Sequence, residues 1–229
     1  SIDKAVRISL EKALSIAVFS LNNKTPEGTR NRSRFHRMAV IATGAGGGAM
    51  GLPGLVVELP ISTAMMLRSI ADIALSQGED LEDLEARLSC LEVFALGGRS
   101  GHDDASETGY FAVRSLLANS VTEAAKHLAQ RGLSGKGAPV MVRFLSAVSS
   151  RFGIVVSEKA AAMAVPAIGA AGGALVNGAF ITHFQKIAEG HFTVRKLERL
   201  YGPEIVRRAY EAGLPSGLLL PDSGPALLD

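Results

Sequence analysis

The chain has 229 residues, of which 47% are hydrophobic and 20% are charged. It is therefore long enough and apolar enough to bury a core, and its composition excludes intrinsic disorder. A net charge of +2 does not match the strongly basic character of nucleic-acid-binding domains, so we expect no nucleic-acid partner.

The first half of the chain predicts helices around one long apolar region. Residues 3–21 place apolar side chains at helical spacing, and 22–33 form a polar loop. Charged residues interrupt the apolar residues of the first helix, so it lacks the pattern of a secretory signal peptide. We therefore expect a cytoplasmic protein. Residues 35–77 are mostly apolar. Asp80 is predicted to cap a helix that runs to Leu96 and carries the only cysteine, an expected buried hydrophobe.

The second half of the chain predicts further helices, separated by loops rich in glycine. Their predicted ranges are 106–132, 140–151, 154–189, 193–201 and 203–212. We therefore expect an all-α fold, a multi-helix bundle around a central Gly/Ala-rich helical hairpin. One domain is expected over 1–212, followed by a loosely attached tail over 213–229.

Two segments carry no charge over lengths that could cross a membrane. Met38–Val57 has 20 such residues and Ala160–Thr182 has 23. Glycine and alanine contribute little to insertion, and Pro53 and Pro166 interrupt the segments, so neither is a good isolated span. Three interpretations stay open: a buried hairpin in a soluble bundle, shallow membrane insertion, or a true span.

Glycines within these segments recur at a spacing of four, which places them on one helix face. Such faces allow two backbones to approach closely. The predicted helix-packing positions are Gly44, Gly48, Gly51, Gly169 and Gly173.

A basic strip precedes the first apolar segment and could meet anionic lipid head groups. The predicted membrane contacts are Arg30, Arg32, Arg34 and Arg37 in the strip, followed by Met50, Leu52 and Leu55. A solvated loop is the alternative. Membrane lipid or a membrane protein is the expected partner, and the sequence leaves the oligomeric state open.

Several polar residues lie within apolar surroundings and form the candidate polar core. They are Glu58, Arg68, Asp72, Glu92, Glu158, Asn177 and His183. Arg68 and Asp72 are four apart and can pair along a helix. Glu58 requires either a partner on another helix or exposure at the edge of the apolar layer, and we expect the partner. Arg68 is not the obvious candidate, because it lies about 15 Å further along the same helix. The alternative function is an enzyme in which Glu58, Glu92 or Glu158 works with His183.

Motifs for catalysis and cofactors do not fit their required contexts. Residues 46–51 match G-x-G-x-x-G, but Pro53 and Gly54 disrupt the helix that should follow. The run His102-Asp103-Asp104 reads as a polar loop. We therefore expect no cofactor and no metal.

Two long stretches resemble a known family. The first runs from Met38 through the Gly-rich residues, Leu52-Pro53-Gly54 and the Arg68 helix. The second includes RFGIVVSEKAAAMAVPAIGAAGGALVNG and continues to about Gly202. Together they are similar to the two halves of the EcsC family, for which no catalytic motif is known. The resemblance implies a helical fold with membrane association, and it implies no enzyme.

Overall fold

The computed structural model describes residues 2–21, 38, 52–98, 108–132, 138–163 and 169–213. These residues form α-helices joined by short turns, and no strand occurs among them. The helices are α1 Ile2–Ser20, α2 Leu52–Ser76, α3 Leu84–Leu96, α4 Thr108–Arg131, α5 Pro139–Met163, α6 Gly169–Tyr201 and α7 Pro203–Glu211. The predicted all-α, multi-helix bundle is confirmed.

Helix α3 lies at the centre of the described bundle. It contacts α1, α2, α4, α5 and α6, and its residues from Leu88 to Ala95 are all buried. A helix that is apolar on every side is stable only when other helices surround it. Cys90 lies in this helix with no solvent exposure, and burial raises the pKa of its thiol, as expected for a structural cysteine.

The start of α3 differs from the prediction. Asp83 caps the helix by accepting a hydrogen bond from the backbone nitrogen of Glu85 at 3.0 Å. Asp80, the predicted cap, instead accepts from the backbone nitrogen of Glu82 at 2.9 Å, in the turn before the helix. The helix therefore begins three residues later than predicted, because both aspartates can satisfy backbone donors and only the second precedes the helical residues.

Phenylalanine rings join α3 to α5 and α6. The ring centroid of Phe94 lies 4.9 Å from that of Phe152 and 5.3 Å from that of Phe184. Phe152 and Phe184 are 5.6 Å apart. These tilted and edge-to-face contacts are the favoured arrangement for aromatic rings, and they hold the middle of the bundle.

Two glycines after α3 permit this close packing. A Cβ atom on Gly97 would overlap the Phe184 ring, and one on Gly98 would overlap the backbone carbonyl of Arg151. The Arg151 side chain also donates hydrogen bonds to the carbonyls of Ala95 at 3.0 Å and Gly98 at 2.7 Å. Arg151 thus supplies side-chain donors at the end of α3, where the Ala95 carbonyl also accepts from the Gly98 backbone nitrogen at 3.2 Å.

Helix α6 is longer than the sequence predicts. Its 33 residues continue through Gly190 and Thr193, where the sequence indicated the end of one helix and the start of another. A glycine inside a helix costs only about 1 kcal/mol, which tertiary packing can outweigh. Gly202, with φ of +87°, ends the helix, and Pro203 opens α7, both as predicted.

Helices α5 and α6 share the second apolar segment. Helix α5 ends at Met163 and α6 begins at Gly169, so that segment is divided between two helices that contact each other. Helix α5 passes through Gly153 without a break, so the predicted boundary between the ranges 140–151 and 154–189 does not occur. Helix α4 ends at Arg131 beside Gly132, as predicted. The first segment up to residue 51 and the tail from 214 onward lie outside the described residues, so the pairing of the two segments and the domain boundary at 212 stay predictions.

Candidate functional site

Glu58 forms a buried cluster with residues from two other helices. Its Oε2 accepts a hydrogen bond from Lys159 Nζ on α5 at 2.8 Å, and its Oε1 accepts one from Asn177 Nδ2 on α6 at 2.8 Å. The Glu58 and Lys159 side chains are 3% and 1% exposed. The structure thus supplies the partner from another helix that the sequence required. We call Glu58, Lys159 and Asn177 the Glu58 cluster.

The cluster balances one buried charge of each sign. Burial lowers the pKa of Lys159, and the neighbouring Glu58 carboxylate opposes that shift. The Lys159 ammonium also lies 4.5 Å from the ring centroid of Phe180, a favourable cation–π distance. Removal of either charge would leave the other buried without compensation, so the cluster fixes the relative positions of α2, α5 and α6.

The surface around the Glu58 cluster is largely apolar. Residues 54–67 of α2, 152–163 of α5 and 172–185 of α6 contain only three charged residues, and two of them form the buried pair. We call these three ranges the apolar end. Large hydrophobic side chains are exposed there, including Val56 (47%), Val57 (68%), Ile61 (38%) and Leu175 (76%). Each lies within three residues of Glu58 or Asn177, about one helical turn.

A groove of about 440 Å³ runs between α5 and α6 in this end. Val155, Glu158, Lys159 and Ala162 line it from α5. Val176, Ala179, Phe180 and His183 line it from α6, and Gly97 lies at its margin. The spacing within each set places its members on one helix face.

His183 is held in a fixed orientation beside this groove. Its Nε2 lies 2.8 Å from the carbonyl oxygen of Gly97. A carbonyl can only accept, so Nε2 carries the hydrogen, and in the neutral ring Nδ1 is left as an acceptor. The missing side chain at Gly97 is what lets the imidazole approach, because a Cβ there would lie 3.1 Å from Nε2.

The opposite end of α6 carries several arginine–glutamate pairs. Arg195 donates two hydrogen bonds of 2.9 Å to Glu79, which also pairs with Arg199. Arg114 on α4 donates two hydrogen bonds of 2.7 Å to Glu198. We call this region, with the polar residues between the pairs, the charged end. Burial alone would raise the pKa of Glu79, but the two arginines hold it below its ordinary value.

Glu92 and His191 are buried between these pairs. Burial raises the pKa of Glu92 to about 7, and the positive charges of Arg114 and Arg195 oppose the rise only in part. Burial lowers the pKa of His191 well below its ordinary value, and the same two arginines lower it further. Tyr110 is hydrogen-bonded to His191 Nδ1 at 3.0 Å. The charged end therefore holds a neutral imidazole, His191, and an acid, Glu92, whose raised pKa lies near neutral pH.

The predicted site residues fall into separate places. Arg68 donates to Ser20 Oγ at 2.9 Å, and Asp72 is half-buried. Leu55, a predicted membrane contact, lies in the core with 2% exposure, because its face of α2 turns inward, so Val56 and Val57 are the residues exposed to solvent. Gly173 is buried, as close packing requires.

Other predicted positions lie outside the described residues or side chains. They are Arg30, Arg32, Arg34, Arg37, Gly44, Gly48, Met50, Gly51, the G-x-G-x-x-G match, the His102 run, and the surroundings of Leu52 and Gly169. Among the described residues, no group of three histidine, cysteine or acidic side chains is placed to hold a metal ion.

The enzymatic alternative required two of its three carboxylates to meet His183 in a closed pocket. Glu158 lines the same groove as His183, but that groove is open along the surface. Glu58 lies behind Lys159, and Glu92 belongs to the charged end. In the Glu58 cluster, the residue that sequence reasoning missed is Lys159, the charge directly before the second apolar segment. A buried carboxylate needs a cation beside it. The position of Lys159 at the border of an apolar segment was the sequence feature that could have identified it as the partner of Glu58.

Two described helices are long and apolar enough to cross a membrane by length and composition. They are Gly54–Ser76 and Pro139–Met163, and within them the apolar 18-residue windows are 61% and 28% buried in the fold, respectively. Core helices of soluble proteins meet the same criterion.

The fold and these sites define a class of helical bundle with one apolar end and one charged end. The model of the EcsC protein family matches residues 3–197, and the chain belongs to that family. Comparison with curated proteins and with solved structures found no match.

Proposed function

We propose that this protein is a membrane-associated, non-enzymatic helical protein that docks through its apolar end onto lipid or a membrane protein complex. In this proposal it binds peripherally, from the cytoplasmic side. The observation that carries the proposal is the group of exposed apolar side chains, Val56, Val57, Ile61 and Leu175, around the Glu58 cluster.

The exposed side chains occur where charge is scarce. Helix α6 has no charged residue from Gly169 to Gln185, and the two buried charges of the Glu58 cluster neutralise each other. The four side chains lie close in sequence to Glu58 and Asn177, which join α2 to α6, and an exposed apolar patch is typical of contact with a membrane or a protein partner. Transfer of such side chains out of water is favourable by about 25 cal/mol for each Å² of apolar surface buried.

The geometry favours binding over catalysis. Of the carboxylates that the enzymatic alternative needs, only Glu158 shares a groove with His183. The buried pair of Glu58 and Lys159 already has a structural explanation, since it joins α2 to α5.

Leu175 and Leu200 provide a matched test, because both are exposed leucines on α6, at 76% and 64%. Leu175 lies in the apolar end and Leu200 in the charged end. Sedimentation with phosphatidylcholine vesicles, with and without phosphatidylserine, measures binding of the full chain. Leu175→Glu should lower the partition coefficient about tenfold or more, because a leucine no longer leaves water and a charge must approach lipid. Leu200→Glu should bind as the wild type does.

Equal binding by the wild type and Leu175→Glu would contradict this docking surface, as would an equal loss in both variants. Circular dichroism should first show that each variant is folded. The predicted basic strip is tested in the same assay. If Arg30, Arg32, Arg34 and Arg37 meet phosphatidylserine, added salt and their replacement by glutamine should both weaken binding.

A further inference from the structure

The groove between α5 and α6 has the size and walls of a small-ligand site. Its volume of about 440 Å³ lies within the range of roughly 300–1,000 Å³ that ligand pockets occupy. Ala162, Val176 and Ala179 line it, and such small side chains leave room for an apolar chain between the helices. Phe180 forms part of one wall, and its ring is fixed by Phe184 at 5.2 Å between centroids.

The positive charge in this groove is already neutralised. Lys159 Nζ lies 2.8 Å from Glu58 Oε2 and also faces the Phe180 ring. A ligand that needed this ammonium would have to compete with a buried carboxylate. Lys159 therefore does not make the groove a site for anions.

The polar groups left for a ligand are both acceptors. Glu158 is exposed, lines the groove, and makes no ion pair with any other residue in the described ranges. His183 commits Nε2 to the Gly97 carbonyl, so the neutral ring offers Nδ1 as an acceptor. A carboxylate and an imidazole acceptor together select a donor-rich cation.

A second groove differs from the α5–α6 groove in the charges that line it. It has a volume of about 360 Å³ and lies between α1 and α5, where Arg7 and Glu11 line it. Those two residues pair with each other at 2.9 Å, so their charges cancel. A charged head group has no comparable reason to choose that groove.

We propose that the α5–α6 groove binds a single-chain lipid with a primary ammonium head group. The chain lies against the alanine and valine walls, and the ammonium donates hydrogen bonds to Glu158 and to His183 Nδ1. This inference rests on the proposed lipid binding and names the class of lipid. A carboxylate or phosphate head group would instead be repelled by the negative charge of Glu158.

Calorimetric titration of the full chain with dodecylamine, dodecanol and dodecanoate, each below its micelle concentration, tests the proposal. Dodecylamine should bind at least tenfold more tightly than dodecanoate. Glu158→Gln should weaken dodecylamine about fivefold, the upper range for an exposed ion pair, and leave dodecanol unchanged. Equal affinities for dodecylamine and dodecanoate would overturn the proposal. A Glu158→Gln variant that binds dodecylamine as tightly as the wild type does would also overturn it.

Filling the groove provides the steric test. Ala179→Trp places a large side chain at an exposed position in the α5–α6 groove, and Ser146→Trp does the same in the α1–α5 groove. Ala179→Trp should abolish binding of all three probes, whereas Ser146→Trp should leave it intact. Undiminished binding by a folded Ala179→Trp variant would overturn the proposal.

The two proposals fail in different ways. Vesicle binding that depends on Leu175, combined with no dodecylamine binding, would overturn the groove ligand and leave membrane docking supported. Dodecylamine binding that depends on Glu158, combined with no vesicle binding, would support the groove ligand and overturn membrane docking.

Discussion

Helix α6 passes through two different chemical environments along its 33 residues. Its first half carries no charge up to Gln185, and its buried polar residue Asn177 donates to Glu58. Its second half carries Glu198, which pairs with Arg114 of α4, and Arg195 and Arg199, which pair with Glu79 in the turn after α2. One helix thus belongs to both the apolar end and the charged end.

The two ends satisfy buried charge in different ways. At the apolar end a single ion pair is shielded from water, and the surrounding surface is hydrophobic. At the charged end bidentate arginine–glutamate pairs retain partial contact with solvent, such as Arg114 at 20% exposure. Fully desolvated pairs are costly to break, whereas solvent can replace a lost partner at a surface. The stability of the apolar end should therefore depend on very few residues.

The largest expected effect follows from removing the cation of the Glu58 cluster. Lys159→Met leaves Glu58 buried without its cation, and we expect a loss of about 3–5 kcal/mol in the free energy of unfolding. Glu58→Gln should cost less, because glutamine can still accept from Asn177 and because Lys159, whose pKa burial already lowers, can lose its proton. Urea denaturation measures both, with the exposed Lys186→Met as a control that should change little. A Lys159→Met loss no larger than that control would show that the cluster does not hold the three helices.

The pH dependence of stability tests the charged end. The pKa of Glu92 is raised from 4.5 to about 7 by burial, so the folded state binds this proton more tightly than the unfolded state. Its contribution is complete below about pH 4.5 and is lost as the pH rises through about 7, a change on the order of 3 kcal/mol. The difference between Glu92→Gln and the wild type should change by that amount between pH 5 and 8.

Urea denaturation across this range provides the measurement for Glu92. Glu189→Gln, an exposed glutamate on α6, is the control and should follow the wild-type curve. Parallel curves for wild type and Glu92→Gln would mean that Glu92 is not buried as a neutral acid.

The glycines between the two ends should show an intermediate effect. Gly98→Ala directs a methyl group at the Arg151 carbonyl, and overpacking of this kind costs about 1–3 kcal/mol. Gly153→Ala and Gly190→Ala are matched controls, because a Cβ at either meets no atom within 4 Å. Both lie inside helices and should be neutral or stabilising by up to about 1 kcal/mol. Thermal unfolding that ranks Gly98→Ala with the controls would contradict the close approach.

The smallest effect is expected for an ion pair that belongs to neither end. Arg143 and Glu123 pair at 3.4 Å with side chains 69% and 57% exposed. Arg143→Gln should change the free energy of unfolding by less than about 0.5 kcal/mol, because water replaces the lost contact. A loss comparable to that of Lys159→Met in the same urea assay would remove the distinction between shielded and solvated pairs.

Sequence reasoning located part of the candidate site and missed the rest. Glu58, Glu158, Asn177 and His183 stood out because polar residues inside apolar runs need an explanation. Lys159 was missed because a lysine at the border of an apolar run is usually exposed to solvent. Tyr110, Arg114 and Arg195 were missed because they lie on ordinary amphipathic helices and become a cluster only when those helices pack.

The sequence by itself determined the all-α fold, the helix ends at Gly132 and Gly202, and the expectation that Glu58 has a partner if it is buried. These follow from local backbone preferences and from the cost of burying a charge. Tertiary structure decided that the partners are Lys159 and Asn177, which lie 101 and 119 residues away. Tertiary structure also decided that α6 continues through Gly190 and Thr193 as one helix. The physical reason is that helix packing sets contacts between distant residues, and its free energy exceeds the small local preferences that a sequence displays.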